Sequence, residues 1–87
     1  MAEIILPASL VQLFPGAAKR VQVEAGSVRD VIDGLDRRWP GMRNRLCAPG
    51  PAIRRHIRIF VDSEPSSLET PVAATSEVQV VPALSGG

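Results

Sequence analysis

Three stretches of the chain alternate between apolar and polar positions. Arg20-Val21-Gln22-Val23-Glu24 and Glu77-Val78-Gln79-Val80-Val81 place apolar side chains at every second residue, the period of a half-buried strand. His56-Ile57-Arg58-Ile59-Phe60-Val61 sets Ile57, Ile59 and Val61 on one face and Arg58 and Phe60 on the other. Between the first and third of these, Val28, Val31, Ile32, Leu35 and Trp39 recur at helical spacing, one stripe that must face a core. Ser27 stands at the N-cap position with Asp30 in the first turn, and Pro40-Gly41 ends the helix. Gly34 inside it costs about 1 kcal/mol relative to alanine.

The remaining segments are shorter. Ile4-Ile5-Leu6 reads as a first strand, with Pro7 marking an edge or a bulge, and a second apolar stretch covers residues 10–14. Pro15-Gly16 is a turn signal, and with the strand at 20–24 it predicts a hairpin closed by a short glycine-containing loop. Residues 42–46 add a helical turn. Cys47-Ala48-Pro49-Gly50-Pro51 reads as a loop, because its prolines remove donors and fix φ. Asp62-Ser63-Glu64-Pro65 turns the chain, a short apolar piece surrounds Leu68, and Pro71 argues against a long central strand there. The order ββαβ(β)β predicts an α+β fold, a mixed four- to five-stranded sheet packed on one main helix. Its expected core is Ile4, Leu6, Val21, Val23, Val28, Val31, Ile32, Leu35, Ile57, Ile59, Val61, Val78 and Val80, with Trp39 closing the stripe. If the helix covers that face, Arg58, Phe60, Gln79 and Val81 lie on the opposite one, where an aromatic beside a valine makes a docking patch.

Composition narrows the functional classes. With 87 residues the chain makes one domain, and 45% hydrophobic with 22% charged content is that of a folded globular protein. The net charge is +1, yet all ten basic residues lie between Lys19 and Arg58, while Asp62, Glu64, Glu69 and Glu77 follow with no base among them. A basic middle section raises nucleic acid as a partner, but the only aromatics are Phe14, Trp39 and Phe60, and no arginine- and aromatic-rich motif supports base stacking. No nucleic-acid partner is therefore expected. Cys47 and His56 each occur alone, so no intramolecular disulfide, cysteine-ligated zinc site or Cys-His catalytic pair is expected. Cys47 reads as an inert small hydrophobe rather than a persulfide relay, and His56 as structural or exposed. The start Met1-Ala2-Glu3 followed by an apolar run that stops at Pro7 matches neither a signal peptide nor a membrane span, which points to the cytoplasm.

The segment with chemistry in it follows Pro82. Ala83-Leu84-Ser85-Gly86-Gly87 has no bulky polar group and directly follows the last strand. The domain is expected over 1–82 and a flexible tail over 83–87. Glycine lacks a Cβ and tolerates most backbone angles, so Gly86-Gly87 can thread a narrow channel and bring the Gly87 carboxylate against a nucleotide phosphate. The strand order, Ile59-Phe60-Val61-Asp62 before a turn, and Val78-Gln79-Val80-Val81-Pro82 running into Gly86-Gly87 together resemble the sulfur carriers of the MoaD/ThiS family, small β-grasp proteins related to ubiquitin. Two positions depart from the family pattern: Asp62 stands where asparagine is common, and Thr75-Ser76-Glu77 where Asp-Gly-Asp is. Pro49-Gly50-Pro51 and the long loop before His56 look most like the actinobacterial carriers of cysteine biosynthesis.

The resemblance implies a fold and a reaction cycle. The fold is the ubiquitin-like β-grasp. An activating enzyme related to ubiquitin activation would adenylate Gly87 with ATP and magnesium. A sulfur donor would then displace AMP to leave a thiocarboxylate, an anionic nucleophile for a sulfur-accepting biosynthetic enzyme. The product could be cysteine, molybdopterin, thiamin or a sulfur-containing secondary metabolite. Ser85 and Gly86 would thread the channel, and Phe60, Val81, Arg58 and Gln79 would dock the activating enzyme. The chain itself would bind no cofactor or metal and would be a carrier, not an enzyme. The alternative is a ubiquitin-like modifier joined through Gly87 to target lysines; Lys19 is the single lysine, so self-linkage into chains would have one site plus the N-terminus.

Overall fold

A computed structural model of the protein describes residues 1–82. Along the chain come β1 (Ala2–Ile5), α1 (Ala8–Leu13), β2 (Arg20–Val23), α2 (Val28–Arg38) and α3 (Met42–Leu46). They are followed by β3 (Cys47–Ala48), β4 (Ala52–Ile53), β5 (Ile57–Val61), β6 (Glu64–Pro65) and β7 (Glu77–Pro82). The main sheet has the order β2-β1-β7-β5-β6, and β3 and β4 pair separately. β1 runs antiparallel to β2 and parallel to β7, and β5 runs antiparallel to both β7 and β6. The last strand in sequence is thus the middle strand of the sheet. Its parallel pairing with β1 needs a crossover, and α2 lies in it.

The alternation read from the sequence decides which face is buried. Ile4, Val78, Val80 and Ile59 point to the side covered by α2, whose Val28, Val31, Ile32 and Leu35 are all nearly inaccessible. Leu6, Val23, Ile57 and Val61 complete the expected core, whereas Val21 is only half-buried, because β2 is an edge strand. Leu10, Met42, Leu46, Cys47, Leu68 and Val72 join that core as well, and Trp39 is half-buried at its margin. Burying these side chains requires α1, α3 and the 66–72 segment to fold over the ends of the sheet.

Three segments differ from the sequence reading. The first strand ends at Ile5, and the apolar stretch after Pro7 is the helix α1, with the N–H groups of Leu10 and Val11 donating to the Pro7 carbonyl at 3.0 and 3.1 Å. Proline cannot donate to a ladder but its fixed φ suits a helix start. The hairpin therefore joins β1 to β2 through a helical connection and not a short loop. Residues 47–51 are not wholly loop, since Cys47 and Ala48 pair with Ile53 and Ala52. Leu68 belongs to no strand; its segment instead satisfies the start of α2. Val28 N–H donates to Thr70 O at 3.0 Å and Arg29 N–H to Leu68 O at 2.9 Å, while Ser27 Oγ accepts from Asp30 N–H at 3.2 Å. The free donors that every helix start presents are met here by a neighbouring segment and a cap.

Both departures from the family's turn pattern make working turns. Asp62 and Ser63 adopt φ +50° and +72°, and Asp62 Oδ1 accepts from Glu77 N–H at 2.9 Å. Ser76 is buried, and its Oγ accepts from Ala73 N–H at 2.9 Å.

Candidate functional site

The helix-free face of the sheet is ordered by its register. Arg58 lies opposite Val81 and Phe60 opposite Gln79. The latter row continues through Ile5 to Arg20 on one side and to Pro65 on the other. Each of the five strands thus contributes one residue to a single row: Arg20, Ile5, Gln79, Phe60 and Pro65. Directly opposed side chains in such a row lie about 5 Å apart and touch. The four residues read from the alternation do share this face. Arg58 is exposed; Phe60, Gln79 and Val81 are half-buried, so Phe60 is less open than the sequence reading supposed. The short return strand β6 places Pro65 beside it.

Ile5 and Arg20 were not picked out from the sequence. Ile4 and Leu6 were expected in the core, which turns Ile5 outward, but an all-apolar run gives no sign of which neighbours it meets. The pairing of Ile5 with Gln79 and Arg20 sets it in the row through Phe60.

Charge is unevenly spread along β7. Where the strand begins, Glu77 lies opposite Glu3. Glu3 Oε1 in turn accepts from Arg20 Nη1 at 2.9 Å. Where the strand ends, Val81 lies opposite Arg58 and Pro82 opposite Ile57, the residue that follows Arg54, Arg55 and His56. A groove of about 490 Å³ runs along this corner, lined among others by Ile53, Arg55, Arg58, Phe60 and Pro65.

Cys47 is buried, and burial pushes its thiol above the ordinary value. It is therefore held as the neutral thiol, the weaker nucleophile. His56 is exposed. Among the described residues, no group of three or more His, Cys, Asp or Glu side chains could hold a metal ion. No described helix is long and apolar enough to cross a membrane. The candidate residues Ser85, Gly86 and Gly87 lie outside the described residues.

The fold and the sequence can be compared with known proteins. A sequence search of curated proteins gave no match. Among solved structures, the CysO chain in the Amycolatopsis orientalis BexX/CysO complex superposes with a TM-score of 0.87 at 24% identity, covering 100% of both chains. Mycobacterium tuberculosis CysO gives 0.84 at 24% identity over 97% of this chain and 100% of that one. Small archaeal modifier protein 1 of Haloferax volcanii gives 0.75 at 25% identity over 95% and 97%. These likenesses establish the ubiquitin-like β-grasp fold. The ThiS family model matches residues 4–87, almost the whole sequence including Gly86-Gly87. The chain belongs to the ThiS family.

Proposed function

We propose that this protein is a sulfur carrier whose Gly87 carboxylate is activated and converted to a thiocarboxylate. One observation carries the reading: Gly86-Gly87 follows, with only three residues between, the central strand of a sheet whose helix-free face is half apolar. β7 pairs with β1 as far as Gln79 and with β5 through to Pro82, opposite Ile57, so the β5 ladder fixes the point at which the chain leaves the sheet. A partner that grips Phe60, Val81, Arg58 and Gln79 would thereby set where Gly87 can reach. A carboxylate is a poor electrophile. Attack of its oxygen on the α-phosphorus of ATP expels pyrophosphate and makes an acyl adenylate. Hydrosulfide, delivered by the sulfur donor, adding at that carbonyl then expels AMP and a proton and leaves the thiocarboxylate. ATP and magnesium belong to the activating enzyme. The thiocarboxylate sulfur would pass to a biosynthetic acceptor, and the likeness to CysO favours one that makes cysteine. The test pairs intact mass of protein from its native host with ATP–pyrophosphate exchange. A mass gain equal to one oxygen replaced by sulfur at Gly87, and loss of exchange on deleting Gly87 with unchanged thermal unfolding, support the carrier. Normal exchange in the deletion would overturn it.

The likeness to a small archaeal modifier protein favours a second reading, attachment through Gly87 to lysines of other proteins. Protein adducts that survive denaturation and carry a Gly87 isopeptide on a target lysine would support it.

A further inference from the structure

Among the described residues, the arginines gathered where β7 ends have no ion-pair partner. Among the described residues, the arginines paired with carboxylates are Arg20, Arg29 and Arg43. Arg45, Arg54, Arg55 and Arg58 are not among them. Their backbone is nevertheless firmly placed. Arg54 N–H donates to Leu46 O at 2.9 Å, Arg54 Nε to Asn44 O at 2.7 Å, and Ile57 N–H to Arg54 O at 3.0 Å. This closes a turn whose tip is Arg55-His56. Ile57, just after that tip, is the cross-strand partner of Pro82. The turn that follows the β3–β4 hairpin thus brings positive charge to the end of β7 at Pro82.

We propose that this arginine group docks against a carboxylate-rich surface at the entrance of the channel that receives Gly87 on the activating enzyme. The proposal rests on the carrier reading above. Gly87 lies five positions beyond Pro82 in the sequence, a reach of about 17 Å at full extension. An enzyme that takes the terminal carboxylate into its active site must therefore bring the channel entrance close to the 54–57 turn. Unpaired guanidinium groups brought against a neutral or basic wall lose hydration for nothing, whereas clustered carboxylates pair with them and steer the encounter. The opposite end of the same face carries Glu3 and Glu77, so the charge pattern also fixes which way round the carrier docks. That acidic end disfavours a phosphate chain laid along the face, and Phe60, half-buried, is the one aromatic on it among the described residues.

The experiment measures KM and kcat for the carrier in adenylation by its native activating enzyme, at low and high salt. Arg55→Glu is compared with Arg37→Glu, the same charge change at an exposed site on α2. Equal thermal unfolding of the two variants controls for folding. Arg55→Glu should raise KM about tenfold at low salt with kcat unchanged, the gap narrowing at high salt as screening grows. Arg37→Glu should stay within about twofold of the parent. Equal KM values for the two variants, with the parent turning over normally, would overturn the docking role and leave the carrier reading intact. No turnover of the parent removes both. Loss of binding to a single-stranded RNA oligonucleotide in Arg55→Glu, with KM unmoved, would assign the arginines to nucleic acid and overturn the proposal.

Discussion

Gly34 of α2 packs so tightly on Val23 of β2 that a Cβ added to the glycine would lie 2.6 Å from Val23 Cγ1. A glycine that looks like a weakness in the helix is what lets α2 approach the sheet edge. Val23 cannot swing aside cheaply, being buried and stiff at χ1. Gly34→Ala should therefore destabilise the protein by about 1 kcal/mol, since overpacking at about 1–3 kcal/mol exceeds the helix gain of about 1 kcal/mol. In a Val23→Ala background the same change should become neutral or stabilising. Denaturant unfolding of the four proteins in a double-mutant cycle checks this; additive effects would mean that the contact is not what selects glycine.

Ile59 and Phe60 are neighbours on opposite faces, and their truncations should separate stability from docking. Ile59 is 4% exposed within the core, so Ile59→Ala should cost about 2–5 kcal/mol, a large share of the roughly 5–15 kcal/mol that holds native domains folded. Phe60→Ala should cost about 1 kcal/mol of stability, in keeping with its half-burial, and weaken affinity for the activating enzyme about thirtyfold. Exposed Arg37→Ala serves as the reference for binding. Affinities for Phe60→Ala and Arg37→Ala that coincide would place the docking face elsewhere.

Asp36 organises the start of α3. Its Oδ1 accepts from the N–H groups of Gly41 and Arg43, each at 3.0 Å. The Arg43 hydrogen bond, aided by that from Gly41 and by the Arg43 charge and opposed by burial, holds its carboxyl below the ordinary value. The depressed folded-state pKa means that Asp36 contributes stability above the unfolded carboxylate value of about 3.9 and loses it as pH falls through the lower folded value. Asp36→Ala should cost about 1 kcal/mol at pH 7. Thermal melts at falling pH should show the deficit shrinking in acid; a deficit independent of pH would point to lost packing instead.

Ser63 occupies the second position of the two-residue β5–β6 turn with φ +72°, after Asp62 at +50°. Positive φ at both positions is the geometry that favours glycine at the second. Ser63→Gly should stabilise by about 0.5 kcal/mol, the relief of αL strain offset in part by a freer unfolded chain. A small rise in the unfolding midpoint checks it, and a fall would show that the serine side chain holds the turn.

How far the sequence alone reaches depends on the range of the interactions involved. Ser27 and the stripe from Val28 to Leu35 specify α2 because capping and helical periodicity act within a turn or two, and strict alternation specifies β5 and β7 for the same reason. The same alternation identified Arg58, Phe60, Gln79 and Val81 as sharing a face, and the strand order, Ile59-Phe60-Val61-Asp62 before a turn and the last strand running into Gly86-Gly87 together pointed to the family. Only the tertiary structure decided that β7 is the central strand, that Ile5 and Arg20 extend the row through Phe60, and that the 54–57 turn stands beside Pro82. It also decided that residues 8–13 are helical, where an apolar run too short for a clear period left the choice to burial of Leu10. These outcomes rest on contacts between residues far apart in sequence, here between the first strand and the last. Local pattern shows which side chains seek burial, but pairing across the whole sheet settles which neighbours they find.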